Sequence, residues 1–321
     1  MTWSRSSAKR RWAFTTLPNG RRDAPRCRTG GPDIQSQQIK RSAKTAMTIV
    51  DTHLHVWTND YAKYPMEGGK QVKEDGTAEF LIDTMNKAGV DKAVIVQPIH
   101  YLFDNSYVSD TMKKHPGKFA GIGLVNHFEP GAPERLEKLV KDHGFSGLRI
   151  HLARPPQASD WVRPDQDAIW KKAEQIGSSF IIYGPANLLP AVEPIIARFP
   201  KVKVALDHNG GAPRDEESPY PVLKSILALS KYPNVYVKLT PHKHKEPFPY
   251  KDTHRIFKAF VETFGAKRLM WGTNFPGVMR ETGYTPALEL FSKHLEFLTK
   301  EDKDWILGKT ALGIYNFGGK K

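Results

Sequence analysis

The chain is predicted to form a (β/α)8 barrel, a TIM barrel, behind a separate N-terminal leader. Three observations lead there. Eight short, β-branched apolar segments recur at intervals of roughly 22 to 45 residues, with helix-like amphipathic stretches between them. The span they cover, about 250 residues, is the usual size of such a barrel. The first strand ends on histidines, whereas a doubly wound open sheet would carry a Gly-rich turn there.

The elements follow in order. Thr48–Val56 is the first strand, reading Thr-Ile-Val-Asp-Thr-His-Leu-His-Val, and the amphipathic stretch Thr77–Ala88 follows as a helix. Lys92–Pro98 is the second strand, entered through Gly89-Val90, and Phe119–Asn126 is the third. Pro133–Asp142 has helical periodicity and leads to the fourth strand, Phe145–Leu152. Gln166–Ile176 is helical, then Ser179–Gly184 and Lys201–Asn209 are the fifth and sixth strands. The turn Tyr232-Pro-Asn234 opens the seventh strand, Val235–Pro241. After the helical stretch Asp252–Phe264, the turn Phe264-Gly-Ala266 opens the eighth, Arg268–Phe275. Lys300–Tyr315 is a last helix packed outside.

Composition narrows the class. Of 321 residues, 39% are hydrophobic, enough for a large core, and no run of 18 apolar residues exists, so no membrane span is expected. The formal charge of +14 is concentrated in residues 1–46, which hold 11 Lys/Arg against Asp23 and Asp33. The remainder carries 37 basic and 32 acidic residues, a mildly basic surface without the basic stripe that nucleic acid requires. The single cysteine, Cys27, lies in the leader, so disulfides and thiolate metal sites are not expected in the body. The leader is Arg- and Ser-rich and acid-poor, as in organellar transit peptides. Met47 directly before the first strand offers the other reading, a gene start placed too early. On either reading residues 1–46 are expected to be disordered and outside the fold, with residues 47–321 as the barrel domain. The protein is expected to be intracellular: cytoplasmic, or mitochondrial or plastid if the leader is a transit peptide.

In a barrel the active site lies at the C-terminal ends of the strands. Those ends carry His53 and His55, Gln97 with His100 beyond it, Asn126 and His127, Arg149 and His151, Tyr183, Asp207 and His208, Lys238 and Thr240, and Thr273 and Asn274. His53 and His55 are two apart, as are Arg149 and His151, so each pair faces one side of its strand. Polar groups at nearly every strand end are expensive to bury without partners or a purpose.

Val50-Asp-Thr-His-Leu-His-Val-Trp57, Leu206-Asp-His-Asn-Gly210 and Arg268-Leu-Met-Trp-Gly-Thr-Asn-Phe-Pro276 resemble, in this order, the amidohydrolase superfamily, and more closely its amidohydrolase-2 branch of lactonases and non-oxidative decarboxylases. The resemblance runs from about Thr48 to Phe317. It implies that His53 and His55 are the paired histidines of the first strand, with Asp51 the acidic residue before them, and that His208 is the sixth-strand histidine. Two positions depart from the pattern. The fifth strand, Ser179-Phe-Ile-Ile-Tyr-Gly184, has no histidine, and Asn274 stands where the family has an aspartate that binds metal and acts as base. An amide cannot take a proton as a carboxylate can, and it binds a divalent cation less well.

The expected chemistry is attack of a polarised water on the carbonyl of a small carboxylated lactone or ester. His208 is the first candidate for the base and His151 the second, with Asn274 beside them. His53, His55 and His208 are the expected ligands of one divalent metal, zinc or manganese, the alternative being metal-free use of the same histidines. Gln97, Arg149, Tyr183 and Lys238 are the candidate substrate-binding residues. Arg149 reads either as a carboxylate clamp or as a structural ion pair. Asp207, next to His208, should face the opposite side by alternation. His242 and His244 form a conceivable second metal pair, and Trp57 and Tyr64 an apolar wall. The rival functions are decarboxylation on the same scaffold and a barrel that only binds. The expected partner is a small acidic molecule, not nucleic acid or membrane, and homo-oligomer formation is left open.

Overall fold

The protein is described by a computed structural model over residues 47–152, 166–241 and 244–318. Eight strands follow one another around a single sheet, each parallel to its neighbours: β1 Val50–Leu54, β2 Lys92–Val96, β3 Phe119–Gly123, β4 Gly147–His151, β5 Ser179–Tyr183, β6 Lys203–Leu206, β7 Val235–Leu239 and β8 Leu269–Trp271. Between them lie α1 Ala78–Ala88, α2 Ser106–Lys114, α3 Ala132–His143, α4 Asp167–Ile176, α5 Leu189–Arg198, α6 Pro221–Leu227 and α7 His254–Phe264. This is the TIM barrel that the repeat implies. Most strands are shorter than the apolar segments suggested, because the polar strand-end residues belong to the rim. No helix among the described residues is long and apolar enough to cross a membrane. The leader and His242 lie outside the described residues.

Strand alternation sorts the side chains into two clusters. Leu148, Ile150, Val204, Leu206, Val237 and Leu239 point outward under the helices. Val94, Val96, Ala120, Ile122, Ile181, Ala205 and Met270 fill the interior. The helices present matching stripes: α7 buries Ile256, Phe257, Phe260 and Phe264. At α1, Thr77 Oγ1 accepts from Phe80 N at 3.3 Å and so satisfies one of the free amides of the first turn.

The seam between β8 and β1 is closed by the backbone, with Asn274 N donating to His53 O at 2.7 Å and His55 N to Phe275 O at 2.8 Å. The helix predicted over Lys300–Tyr315 runs without interruption from Lys300 to Ile314, with a wide turn at Trp305–Lys309 between Lys300–Asp304 and Thr310–Ile314. Gly308 in that turn lies on β1, where a Cβ would stand 2.0 Å from Thr48 O. Beyond it Tyr315 and Phe317 pack with Val50, Ala120 and Ile122 in the interior cluster.

Candidate active site

Two backbone irregularities aim the histidines. On β1 the register against β2 slips between Asp51 and Leu54. Val50 consequently packs inside the barrel while Leu54, of the same parity, packs outside. His53 and His55 thus face inward at the rim, with ring centroids 5.1 Å apart. On β6 the alternation ends at Asp207. His208 and Asn209 have φ values of 51° and 57°, a left-handed turn that swings the His208 ring back to 4.3 Å from His53. The turn is held by Asn209, whose Nδ2 donates to Thr240 O at 3.0 Å while its Oδ1 accepts from Thr240 N at 3.1 Å. Asn274 is likewise left-handed at φ 65°, a conformation asparagine tolerates better than most residues.

Beneath the rim is a buried carboxylate with three partners. Asp207 Oδ1 lies 2.9 Å from His53 Nδ1 and 3.3 Å from Lys238 Nζ, and Asp207 Oδ2 lies 2.9 Å from Arg149 Nε. This corrects the expected orientation of Asp207. Val204 and Leu206 point outward, so Ala205 and Asp207 point in, and His208 is the residue that leaves the alternation. Burial would raise the Asp207 pKa, but its interaction with His53 and the charges of Lys238 and Arg149 outweigh it and hold the carboxyl well below its usual range. Burial also holds His53 well below the ordinary imidazole value, and burial with the Arg149 charge lowers His55 to about 4. Both rings are therefore neutral at pH 7. A carboxylate and a carbonyl can only accept, so His53 Nδ1 donates to Asp207 and His55 Nδ1 donates to Val96 O at 2.8 Å. Each ring is left with its lone pair on Nε2.

Asp51 does a different job. It is fully buried and accepts from His53 N, Thr273 N and Thr273 Oγ1 at 3.1, 3.0 and 2.6 Å, tying β1 to the end of β8. Burial raises its pKa to about 6.

Above this layer opens a pocket of about 270 Å³. His55, His100, His151 and His208 line it, together with Arg149, Tyr183 and Asn274. Trp57, Pro98 and Ile99 supply an apolar side, and among the described residues no carboxylate lines the wall. Arg149 is stacked 4.3 Å from the Tyr183 ring centroid with its Nε against Asp207, which is the structural ion pair, and it also lines the pocket. Among the described residues nothing accepts a hydrogen bond from its two terminal nitrogens.

The other candidates are placed elsewhere. Gln97 is fully buried and its Nε2 donates to Leu102 O at 3.3 Å and Asp104 O at 2.6 Å, which makes it a tie for the loop after β2 and not part of the wall. Lys238 is also sealed off, inside the barrel below Asp207. Asn126 bonds Glu129 at 2.8 Å, and half-buried His127 lines a separate crevice. Tyr64 donates to Asp110 at 2.8 Å and packs on Tyr107, away from the pocket. His244 Nδ1 pairs with Asp252, so that ring nitrogen is committed to its loop. His100, only noted as lying beyond a strand end, is a pocket residue edge-on to Trp57.

The residues fit a divalent ion. His53, Asp207 and His208 bring ligand atoms within 4.8 Å of one another. Asp207 is committed to His53 and two cations, so the available donors are imidazoles. The buried His53 Nε2, which has no hydrogen-bond partner, is the clearest of these. Imidazole donors with an open position suit a catalytic zinc-type site.

An inward ring of imidazoles at the C-terminal rim of a closed parallel barrel defines a barrel enzyme of the amidohydrolase type. The amidohydrolase family profile matches residues 50–317, and the chain belongs to that family. It is 25% identical over 245 residues to L-fucono-1,5-lactonase of Burkholderia ambifaria, covering 73% of this chain and 82% of that protein. It is 22% identical over 229 residues to 4-sulfomuconolactone hydrolase of Hydrogenophaga intermedia, covering 70% and 74%. Among solved structures, a zinc-bound amidohydrolase from Burkholderia multivorans superposes with a TM-score of 0.71 at 18% identity, covering 83% of this chain and 98% of that one.

Proposed function

We propose that the protein hydrolyses a small carboxylated lactone. The observation that carries this reading is the pocket wall itself. The imidazoles of His208 and His151, able to transfer protons, stand beside an arginine whose terminal nitrogens face no acceptor among the described residues, and none of the described wall residues is a carboxylate that would repel an anion. Kinship with two proteins named as lactone hydrolases supports the reaction type.

Arg149, pinned by Asp207 and stacked on Tyr183, binds the substrate carboxylate through its planar fork. Trp57, Pro98 and Ile99 cover the apolar part of the ring and exclude bulk water. A zinc or manganese ion held by His53, His55 and His208 would polarise the lactone carbonyl and acidify water. Where His208 holds the ion, His151 across the pocket accepts the proton of water as its oxygen bonds to the carbonyl carbon, and in metal-free use of the histidines His208 does so. The protonated ring then gives that proton to the ring oxygen as the ester bond breaks, leaving a hydroxy acid. Asn274 cannot take that proton, but its amide can donate to a substrate oxygen.

The test is turnover of a panel of carboxylated γ- and δ-lactones by the purified full chain and by His208→Asn. The wild type should open at least one, and the variant should lose on the order of 10²–10⁴ in rate. A chain that opens none of them, or a His208→Asn protein with full turnover, would overturn the proposal.

A further inference from the structure

We infer that Lys238, sealed inside the barrel, is a positioning residue that holds His53 in the tautomer that presents its Nε2 lone pair. It acts through the Asp207 carboxylate. This does not depend on which substrate is hydrolysed.

Asp207 is fully buried, and Arg149, itself nearly buried, already offers it one full positive charge at 2.9 Å. A second cation against the same carboxylate adds a desolvation cost, and the other buried carboxylate, Asp51, acts on that cation only through its field, without a contact. Yet β7 places Lys238, with no exposed surface, so that Nζ stands 3.3 Å from Asp207 Oδ1. Lys238 does not line the pocket, so contact with substrate does not explain it. The oxygen it approaches is the one that accepts from His53 Nδ1 at 2.9 Å.

Geometry shows what this arrangement does. With Arg149 on Oδ2 and Lys238 on Oδ1, rotation of the carboxylate would move an oxygen away from a cation on either side. An ammonium at this range acts as a point charge that fixes the oxygen without dictating the direction of its remaining lone pair. That lone pair is left for the imidazole. The ring of Tyr315 lies under the ammonium, 5.8 Å from Nζ, and forms the floor of the arrangement. His53 is thereby kept with its proton on Nδ1, although nothing else among the described residues bonds to the ring and Nε2 has no hydrogen-bond partner. Groups that orient a functional histidine from behind are known to matter about 10–100-fold to the sites they support.

The experiment uses the full chain with ¹⁵N-labelled histidine at neutral pH, the His53 ring being identified by the signals missing from His53→Asn. Two-bond ¹H–¹⁵N correlation spectra distinguish a proton on Nδ1 from one on Nε2. The wild type should show His53 as a single Nδ1–H tautomer. In Lys238→Met that pattern should be lost to exchange between tautomers, while the melting curve stays cooperative. In an Asp207→Asn background, adding Lys238→Met should change the His53 signals no further. If Lys238→Met is insoluble, Lys238→Gln removes the charge and keeps a donor, and the same loss is expected. A wild-type His53 protonated on Nε2, or a Lys238→Met protein with the wild-type pattern, would overturn the inference. Insolubility of both variants would assign Lys238 to folding and overturn it equally.

Discussion

Asp207→Asn is the most informative single change in this protein. The substitution keeps the shape of the side chain but removes the only negative charge, among the described residues, in contact with Arg149 at 2.9 Å and Lys238 at 3.3 Å. It also presents an NH2 to partners that are all donors, so one donor faces another whichever way the amide turns. Two buried cations are left uncompensated, and breaking a buried pair by removing one partner costs about 3–5 kcal/mol. At about 2–4 °C per kcal/mol for a large domain, the melting midpoint should fall by roughly 6–20 °C. The assay is thermal and urea unfolding of wild type, Asp207→Asn, Lys238→Met and the double variant. The double variant should recover part of the loss, because one stranded cation has gone with the carboxylate, so the two effects will not add. The Asp207 contribution is also signed in pH. Its folded pKa is depressed, so its stabilisation is complete above the unfolded carboxylate value and is lost as pH falls through the lower folded value. The gap between wild type and Asp207→Asn should therefore close only in strong acid. A midpoint within about 2 °C of wild type at pH 7 would refute the buried-charge account, since that is less than about 1 kcal/mol.

Other outcomes follow from the same geometry. Asn274→Asp should raise the affinity of the purified protein for zinc or manganese, measured by isothermal titration, because it adds an anion to a wall that has none among the described residues; unchanged affinity would place residue 274 away from the metal. Asp51 has a folded pKa raised to about 6, so its contribution to stability is fully present below the unfolded value and is lost as pH rises through about 6. Wild type should accordingly lose ground against Asp51→Asn in urea titrations between about pH 4 and 6, and a pH-independent gap would contradict the shift. Deleting residues 1–46 should leave the melting midpoint and any lactone turnover unchanged, since the leader lacks the apolar periodicity needed to dock on a core; a drop of several degrees would show that it belongs to the fold.

The sequence by itself determined the repeat. Apolar segments of strand length alternating with amphipathic stretches leave few ways to bury both, and eight of them close a barrel. Local chemistry also marked most of the pocket: His55, Arg149, His151, Tyr183, His208 and Asn274 all end strands and all line it. Only the tertiary structure decided which way the remaining polar residues face. Alternation is a property of an unbroken strand, and both key strands break it. β1 slips register against β2, and β6 gives way to a left-handed turn at His208 that is held by Asn209 bonding across to Thr240. Taking His208 as an inward-facing strand residue and counting back by one therefore sent Asp207 to the wrong side. Burial was equally beyond the reach of spacing. Gln97, Lys238 and Arg149 all sit at strand ends, yet one ties a loop, one lies sealed in the barrel and one reaches the pocket. The difference depends on how far each strand rises before the rim and on which neighbour carries the opposing charge, and those quantities come into being only when the barrel closes.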